Sequence, residues 1–430
     1  MICKNITVKD GTLYFAGMDT TVLAKKYNTP LYLMDENRIR ENCRVYTQAM
    51  EKYFDGNAVA LYASKAASFK RMYEIVNEEG MGADVVSAGE IYTAAKAGFP
   101  LEKVYFHSNN KTDFDVEFAV DNNVGYFVVD NAEELGVIDS VAERKGIRQK
   151  ILLRLTPGID THTYEAVNTG KVDSKFGTAI ETGQAIKMVE YALSFKNIDL
   201  AGFHCHIGSQ VFDSDTFLRG SKIMLAFIAE IKEKFGLITR ELSLGGGYGV
   251  RYVEDDPEID IAANIKMVSE AVKEECKRLF IDVPKIIMEP GRSIVADAGM
   301  TLYTVGTVKE ITGYKNYVSV DGGMTDNPRF ALYGSQYTLY VANKADDKSD
   351  FLCSVVGRCC ESGDIIQENI MLPKPKRGDI IAVCTTGAYN YSMASNYNRL
   401  TRPPVVMLKD SKDYLAVKRE TLDDIISNDI

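Results

Sequence analysis

Histidine is scarce in this 430-residue chain, with only four, at positions 107, 162, 204 and 206. A histidine-rich metal centre is therefore poorly supplied. The eight cysteines, at 3, 43, 205, 276, 353, 359, 360 and 384, include no Cys-x-x-Cys pair. That pattern argues against an oxidising compartment, and a reduced, cytosolic setting is expected. Basic charge is not in excess. The formal net charge is −10, spread without long runs, which argues against a nucleic-acid or anionic-membrane surface. No apolar stretch approaches a transmembrane length. The first ten residues carry Lys4 and Lys9 but no apolar core segment, so no signal peptide is expected. What is present is a globular composition, 46% hydrophobic and 26% charged, in a chain too long for one ordinary core. Two domains are expected.

Residues 6–15 alternate in polarity around Asp10-Gly11, a hairpin signal. Residues 20–27 read as a short helix that stops before Pro30. Short apolar runs then alternate with helix-length amphipathic segments. The runs are 58–62, 83–86, 104–106, 125–129, 150–155, 200–203, 241–244 and 285–288, and helical patterns occupy 68–79, 89–97, 132–144, 182–194, 216–235 and 259–279. Such alternation predicts a parallel sheet with crossover helices. Eight repeats predict a closed (β/α)8 TIM-type barrel, with an open doubly wound sheet as the alternative. After residue 290 the texture changes to strands at 301–308, 317–320, 337–341, 351–356 and 380–384, separated by Gly-, Pro- and Asn-rich turns. This is a second, all-β domain, sandwich- or barrel-like, which the N-terminal hairpin is expected to join because it lacks a core of its own. The predicted division is 30–289 for the barrel, with 1–29 and 290–430 for the β domain. The polar segment 160–175 is long enough to close over a site.

The chemically suggestive residues follow these runs. Lys65 comes after the first, Asp84 and Ser87 lie at the second, and 107–111 follow the third; 204–210, 245–249 and 289–292 follow the sixth, seventh and eighth. Barrel active sites lie at the C-terminal strand ends, and phosphate often binds after strands seven and eight, so this placement favours the barrel. Most lysines are solvated, but an amine at a barrel mouth is also a carbonyl-trapping nucleophile. Gly245-Gly-Gly-Tyr-Gly249 matches neither the Rossmann nor the Walker spacing. It is either a plain turn or a loop whose backbone N–H groups approach a phosphate. His204-Cys-His206-Ile-Gly-Ser-Gln210 admits three readings. Two histidines at i and i+2 on a strand share a face and could hold a metal, as in many barrel hydrolases. Alternatively, one is a core residue and one faces the mouth, or His206 lies flat on an aromatic cofactor with Ser209 on its phosphate. Glu289 at a barrel mouth needs a cationic partner. That partner is either Arg292 or a protonated pyridine ring, which the carboxylate would make a strong electron sink. Lysine, phosphate loop, stacking histidine and pyridinium carboxylate together describe pyridoxal 5′-phosphate.

The segments Y-A-S-K-A, H-C-H-I-G-S-Q, G-G-G-Y-G and E-P-G-R-S occur in that order. They resemble the barrel-fold pyridoxal-phosphate decarboxylases related to alanine racemase. Within that group, R-C-C-E-S-G-D at 358–364, G-A-Y-N-Y-S-M-A-S-N-Y at 387–397 and Asp326-Asn-Pro-Arg329 followed by Tyr333 are similar to the diaminopimelate decarboxylase family. The resemblance implies decarboxylation of meso-2,6-diaminopimelate to L-lysine and CO2. It also implies an obligate homodimer with shared sites, in which Cys360 and Glu361 come from the partner chain. It places Lys65, Asp84, His206, Ser209, Gly245, Gly246, Gly247, Glu289, Gly291, Arg292 and Tyr389 at the cofactor, with Lys65 bonded to its carbonyl carbon. Arg292, Arg329 and Tyr333 would hold the distal carboxylate, Glu361 the distal ammonium, and Tyr389 would lie over the cofactor. Lys65, His206, Glu289 and Cys360 are the implied catalytic set. Two arginines and one glutamate suit an amino-acid terminus remote from the reaction; ornithine or lysine would leave the arginines unmatched. Two departures stand out: Ser108 where relatives are expected to carry glycine, and Arg358-Cys359, which does not map onto the family pattern. The readings from other classes are a cofactor-binding protein without catalysis and a metal-dependent barrel hydrolase. A decarboxylase of a D-amino acid or of carboxynorspermidine is the nearest relative reading.

Overall fold

The computed structural model describes residues 1–159 and 174–430. It divides into one unit of Asn42–Gly249 with Ile259–Gly291, and a second of Met1–Glu41, Val250–Glu258 and Arg292–Ile430.

The eight apolar runs become eight parallel strands: β1 (Ala58–Ala63), β2 (Gly82–Val85), β3 (Val104–Phe106), β4 (Tyr126–Val129), β5 (Gln149–Thr156), β6 (Ile198–Cys205), β7 (Glu241–Ser243) and β8 (Lys285–Met288). Each pairs with the next, and β8 pairs with β1 through Ile286–Ala58, Ile287–Val59 and Met288–Ala60. That last register closes the barrel and removes the open-sheet alternative. The interior is filled by Leu61, Tyr105, Val128, Leu152, Ala201 and Ile287, each from a different strand. Glu241 opens β7 and accepts hydrogen bonds from Tyr105 Oη (2.8 Å) and Tyr126 Oη (2.7 Å), whose rings stack at 4.2 Å. A buried carboxylate is tolerated there because each oxygen receives a phenol proton. Ser87 and Thr112 are helix N-caps, Ser87 accepting from the Glu90 N–H (3.2 Å) and Thr112 completing a capping box with Asp115. Ser87, chemically suggestive in the sequence, thus serves the helix.

The second unit is built on the long strand Gly299–Ile311. Its first half pairs antiparallel with Leu31–Asp35 and Ile380–Cys384, and its second half with Lys315–Val320. Leu31–Asp35 also pairs in parallel with Val405–Lys409. The expected barrel start at residue 30 is therefore displaced to 42. A five-residue run buried along its whole length looks like a barrel strand, and only its distant partners reveal the sheet it joins. The hairpin Ile6–Lys9/Thr12–Phe15 turns at Asp10 (φ 49°) and Gly11 (φ 73°), the two positive φ values of a type I′ turn. Its Ile6, Leu13 and Phe15 bury against Leu302, Met300 and Val406. Strands Ile365–Leu372, Val405–Lys409 and Lys412–Val417 were not predicted. The first is broken by Gln367-Glu-Asn369, and the other two form a terminal hairpin. Lys315–Val320 and Phe351–Val356 run parallel as neighbours, so the loops that follow them leave the sheet at the same end. The expected closing segment, 160–175, falls almost wholly outside the described residues. No described helix is long and apolar enough to cross a membrane.

Between β6 and β7 the backbones meet at Gly202, where a Cβ would overlap the Glu241 carbonyl oxygen. Gly202→Ala is expected to cost about 3 kcal/mol of stability in urea unfolding. A loss below about 0.5 kcal/mol would show that the barrel wall yields at this point.

Candidate active site

β8 delivers Glu289 into a dry mouth, where it is 6% exposed. Ser243 Oγ, at the end of β7, donates to its Oε1 at 2.7 Å, and His204 Nε2, from β6, lies 3.0 Å from its Oε2. His107 Nε2, just after β3, lies 3.4 Å from Oε1. Burial pushes the Glu289 carboxyl up, but His204 and His107 outweigh it and hold the group well below the usual carboxylate range. Burial lowers both imidazoles, against the upward pull of the Glu289 carboxylate beside them. The result is an ionised carboxylate in a low-dielectric site, suited to a protonated ring nitrogen. His107, His204 and Glu289 also converge closely enough to hold a metal. This is not the His204–His206 pair weighed from sequence, and the direct His204–Glu289 hydrogen bond already engages the carboxylate.

Lys65 is exposed in the turn Ser64–Ala66 that ends β1. The turn after β8 packs on it: the Ala63 N–H donates to Pro290 O at 2.9 Å, and a Cβ on Gly291 would lie 2.9 Å from Ala63 Cβ and 3.2 Å from Ala66 Cβ. Gly291 thus lets the E-P-G-R turn reach the lysine strand. Asp84 ends β2, buried, with Oδ1 3.7 Å from His107 Nε2. That oxygen has no hydrogen-bond partner among the described residues. Burial pushes the Asp84 carboxyl up to about 6, against the pull of His107 and Lys65.

The loops after β6 and β7 are joined. The Val211 N–H donates to Gly247 O and the Gly249 N–H to Val211 O, both at 2.9 Å. Side chains cannot fit: a Cβ on Gly245 would lie 2.6 Å from Cys205 O, one on Gly246 would overlap Glu289 O, and one on Gly247 (φ 117°) would overlap Gly208 O. His206 Nδ1 accepts the Gly246 N–H at 3.3 Å, which leaves the proton of the neutral ring on Nε2. Burial first, then Lys65 and Arg154, holds this imidazole well below its ordinary value. Ser209 is half-buried in the same loop pair. Lysine, carboxylate, an unmatched buried oxygen and a cradle of bare backbone fit pyridoxal phosphate by donor chemistry.

In the second unit two buried arginines face tyrosines. Arg292 Nη1 donates to Tyr252 Oη at 2.7 Å, and its guanidinium lies 4.8 Å from the Tyr389 ring centroid. Arg329 donates to Tyr337 Oη (2.9 Å) and Ser335 Oγ (3.2 Å) and lies 4.6 Å from the Tyr252 ring. Burial opposes its charge, but the neighbouring Tyr252 and Tyr337 outweigh burial and hold the guanidinium above its ordinary value. Tyr333 ends the helix Arg329–Tyr333, half-buried; the phenol on Arg329 is that of Tyr337. Cys360 and Glu361 are exposed. Cys359 and Cys360 are both free thiols, and burial with Asp364 nearby pushes Cys359 up to about 11. Ser108 has φ 125°, a conformation that favours the glycine expected there.

Ser243, Tyr252 and Tyr337 escaped the sequence reading. Ser243 was detectable, because it lies two residues before Gly245 and strand alternation puts it on the same face. The tyrosines carry no local signal.

The Asp84 pKa sets a testable pH dependence. Raised from 3.8 to about 6, it contributes stability that is fully present below pH 3.8 and lost as pH rises through 6. The stability of cofactor-free Asp84→Asn relative to the native chain is therefore expected to rise between about pH 4 and 6 and then level off. Denaturant unfolding across pH 4–7 measures the difference, and a flat difference would contradict the assignment.

Residues 36–296 match the family of pyridoxal-dependent decarboxylases, pyridoxal binding domain. The chain is 44% identical over 420 residues to the diaminopimelate decarboxylase of Bacillus subtilis (strain 168), covering 98% of this chain and 95% of that protein. It is 43% identical over 428 residues to that of Staphylococcus aureus (strain COL), covering 99% and 100%. The crystal structure of diaminopimelate decarboxylase from M. jannaschii in complex with L-lysine superposes with a TM-score of 0.91 at 33% identity, covering 100% of this chain and 98% of that one. With lysine, glycine cradle and buried glutamate gathered at one barrel mouth, and with identity of this level running end to end, the chain belongs to the diaminopimelate decarboxylases, pyridoxal-dependent carboxy-lyases.

Proposed function

We propose that the chain releases CO2 from meso-2,6-diaminopimelate to give L-lysine. The observation that carries the substrate is Arg329: buried, held by a phenol and a hydroxyl, with no carboxylate within 4 Å among the described residues. A guanidinium kept in that state is built to receive a carboxylate from a ligand. A substrate without a distal carboxylate would leave a buried charge unmatched, at a cost of about 3–5 kcal/mol. That amounts to discrimination of at least about a hundredfold.

When bound, pyridoxal phosphate supplies the electron sink for the pair left behind by the departing carboxylate. Lys65 would be the residue that holds its carbonyl carbon. Glu289 would keep the ring nitrogen protonated, His206 would face the ring, and Asp84, Gly291 and Arg292 would border the group. Ser209, Gly245, Gly246, Gly247 and Tyr389 would hold its phosphate, with Tyr389 also near the ring. Arg292, Arg329 and Tyr333 bind the distal carboxylate. Cys360 and Glu361 serve the site of a second copy of the chain in a homodimer; their exposure supports this. Glu361 takes the distal ammonium, and either Cys360 or Lys65 returns the proton to carbon. We place the protein in the cytoplasm, which eight free thiols support.

CO2 release by purified protein with added pyridoxal phosphate tests the reading. Meso-diaminopimelate is expected to react, and L-lysine, L-ornithine and L-arginine to remain inert. Lys65→Ala is expected to lose at least about a thousandfold in kcat. Arg329→Lys is expected to raise KM about tenfold or more, with cofactor absorbance unchanged. Release from L-lysine would preserve the cofactor assignment and break the arginine argument. A loss far short of a thousandfold in Lys65→Ala would remove that residue from the centre of the chemistry.

A further inference from the structure

The loops 321–328 and 357–364 follow the parallel neighbours Lys315–Val320 and Phe351–Val356. The first leads into Arg329. The second carries Cys360 and Glu361. Both close on one side chain, Asp364, which is 3% exposed. Its Oδ1 accepts the Met324 N–H at 2.6 Å, and its Oδ2 accepts the Cys359 N–H at 2.7 Å. These are short, charge-assisted bonds, one to each loop.

The surrounding backbone is shaped to this carboxylate. A Cβ on Gly323 (φ 156°) would lie 2.5 Å from Asp364 Oδ1, and one on Gly357 would overlap both oxygens. The two loops also bond directly, Arg358 N–H to Gly322 O at 2.9 Å. Asn327 N–H donates to Gly323 O at 2.8 Å, which passes the constraint on toward Arg329. On the other side, Asp364 N–H donates to Glu361 O at 3.1 Å. A single buried anion thus fixes the spacing between the arginine-bearing and the cysteine- and glutamate-bearing segments.

We propose that Asp364 is a positioning residue that sets the Arg329 segment and the Cys360–Glu361 segment in register, so that disturbing either disturbs both. The proposal rests on the substrate roles given above to Arg329 and Glu361. It adds that these two roles are not independent. In a dimer with shared sites, the register of one site's arginine segment and the other site's Cys360–Glu361 segment would be set by the same carboxylate.

The test uses holoenzyme variants Asp364→Asn, Arg329→Lys, Glu361→Gln and the double variants of Asp364→Asn with each. An asparagine keeps one acceptor and turns a donor toward the second amide. Asp364→Asn is expected to raise KM for meso-diaminopimelate about tenfold and to lower kcat less, with cofactor absorbance unchanged. The double variants are expected to lose no more than about twofold beyond the worse single variant. Full multiplication of the losses would assign Asp364 a merely structural role and overturn the proposal, as would an unchanged KM in Asp364→Asn. If Arg329→Lys and Glu361→Gln themselves leave KM unchanged, the substrate reading fails instead, while the coupling is still read from hydrogen exchange. In unmodified holoenzyme the Met324 and Cys359 amides are expected to be protected together, and free exchange at either overturns the proposal even if Asp364→Asn does not fold. Gly357→Ala, which pushes the same carboxylate from the opposite side, is expected to reproduce the KM effect.

Discussion

A negative charge held out of water organises the barrel mouth. Three other strand ends bring groups to Glu289: Ser243 at the end of β7 and His204 in β6 hydrogen-bond to it, and His107 beyond β3 lies 3.4 Å away. His107 reaches Glu289 only because the barrel is closed, since the β8–β1 pairing brings the β3 side round to β8. The hydrophobic interior below, from Leu61 round to Ile287, therefore does more than stabilise. It sets the distances at which an expensive carboxylate becomes affordable. His204 and Ser243 orient the carboxylate through hydrogen bonds, leaving its charge available to a cationic ring.

The second unit solves the mirror-image problem, a positive charge out of water. Its device is aromatic. Tyr252, Tyr337 and Tyr389 present ring faces and phenol oxygens to Arg292 and Arg329. An arginine held by tyrosines is oriented yet not neutralised, just as Glu289 is oriented yet not neutralised. The two arrangements share a logic: fix the geometry with uncharged partners, and leave the charge for the ligand.

Much of this could be read from the residues. Most barrel strands announce themselves as short apolar runs with amphipathic helical patterns between many of them, and Lys65, Glu289 and the glycine loop are legible from their position after strands. What stayed hidden depends on long-range pairing. Leu31–Asp35 has the same local texture as a barrel strand, and only its register with Gly299–Ile311 and Val405–Lys409 separates it. Ile365–Leu372 hid behind its polar centre. Tyr252 and Tyr337 belong to segments far apart in sequence, and no pattern in either one marks it as an arginine partner. Ser87 looked chemical and is a cap, because serine after a strand serves both ends equally well.

The placement of Leu31–Asp35 bears on how the chain is made. Its neighbours in the sheet, Gly299–Ile311 and Val405–Lys409, lie far along the chain, so the strand leaves the ribosome with both hydrogen-bonding edges bare. The barrel, by contrast, lies almost entirely within one continuous stretch and has its own core, and can close first. The barrel unit is thus inserted in sequence within the β unit, whose strand Leu31–Asp35 shares one sheet with the hairpin Val405–Lys409/Lys412–Val417. A chain that loses its final strands keeps Leu31–Asp35 paired with Gly299–Ile311 but bares its other side, an exposed edge that invites aggregation.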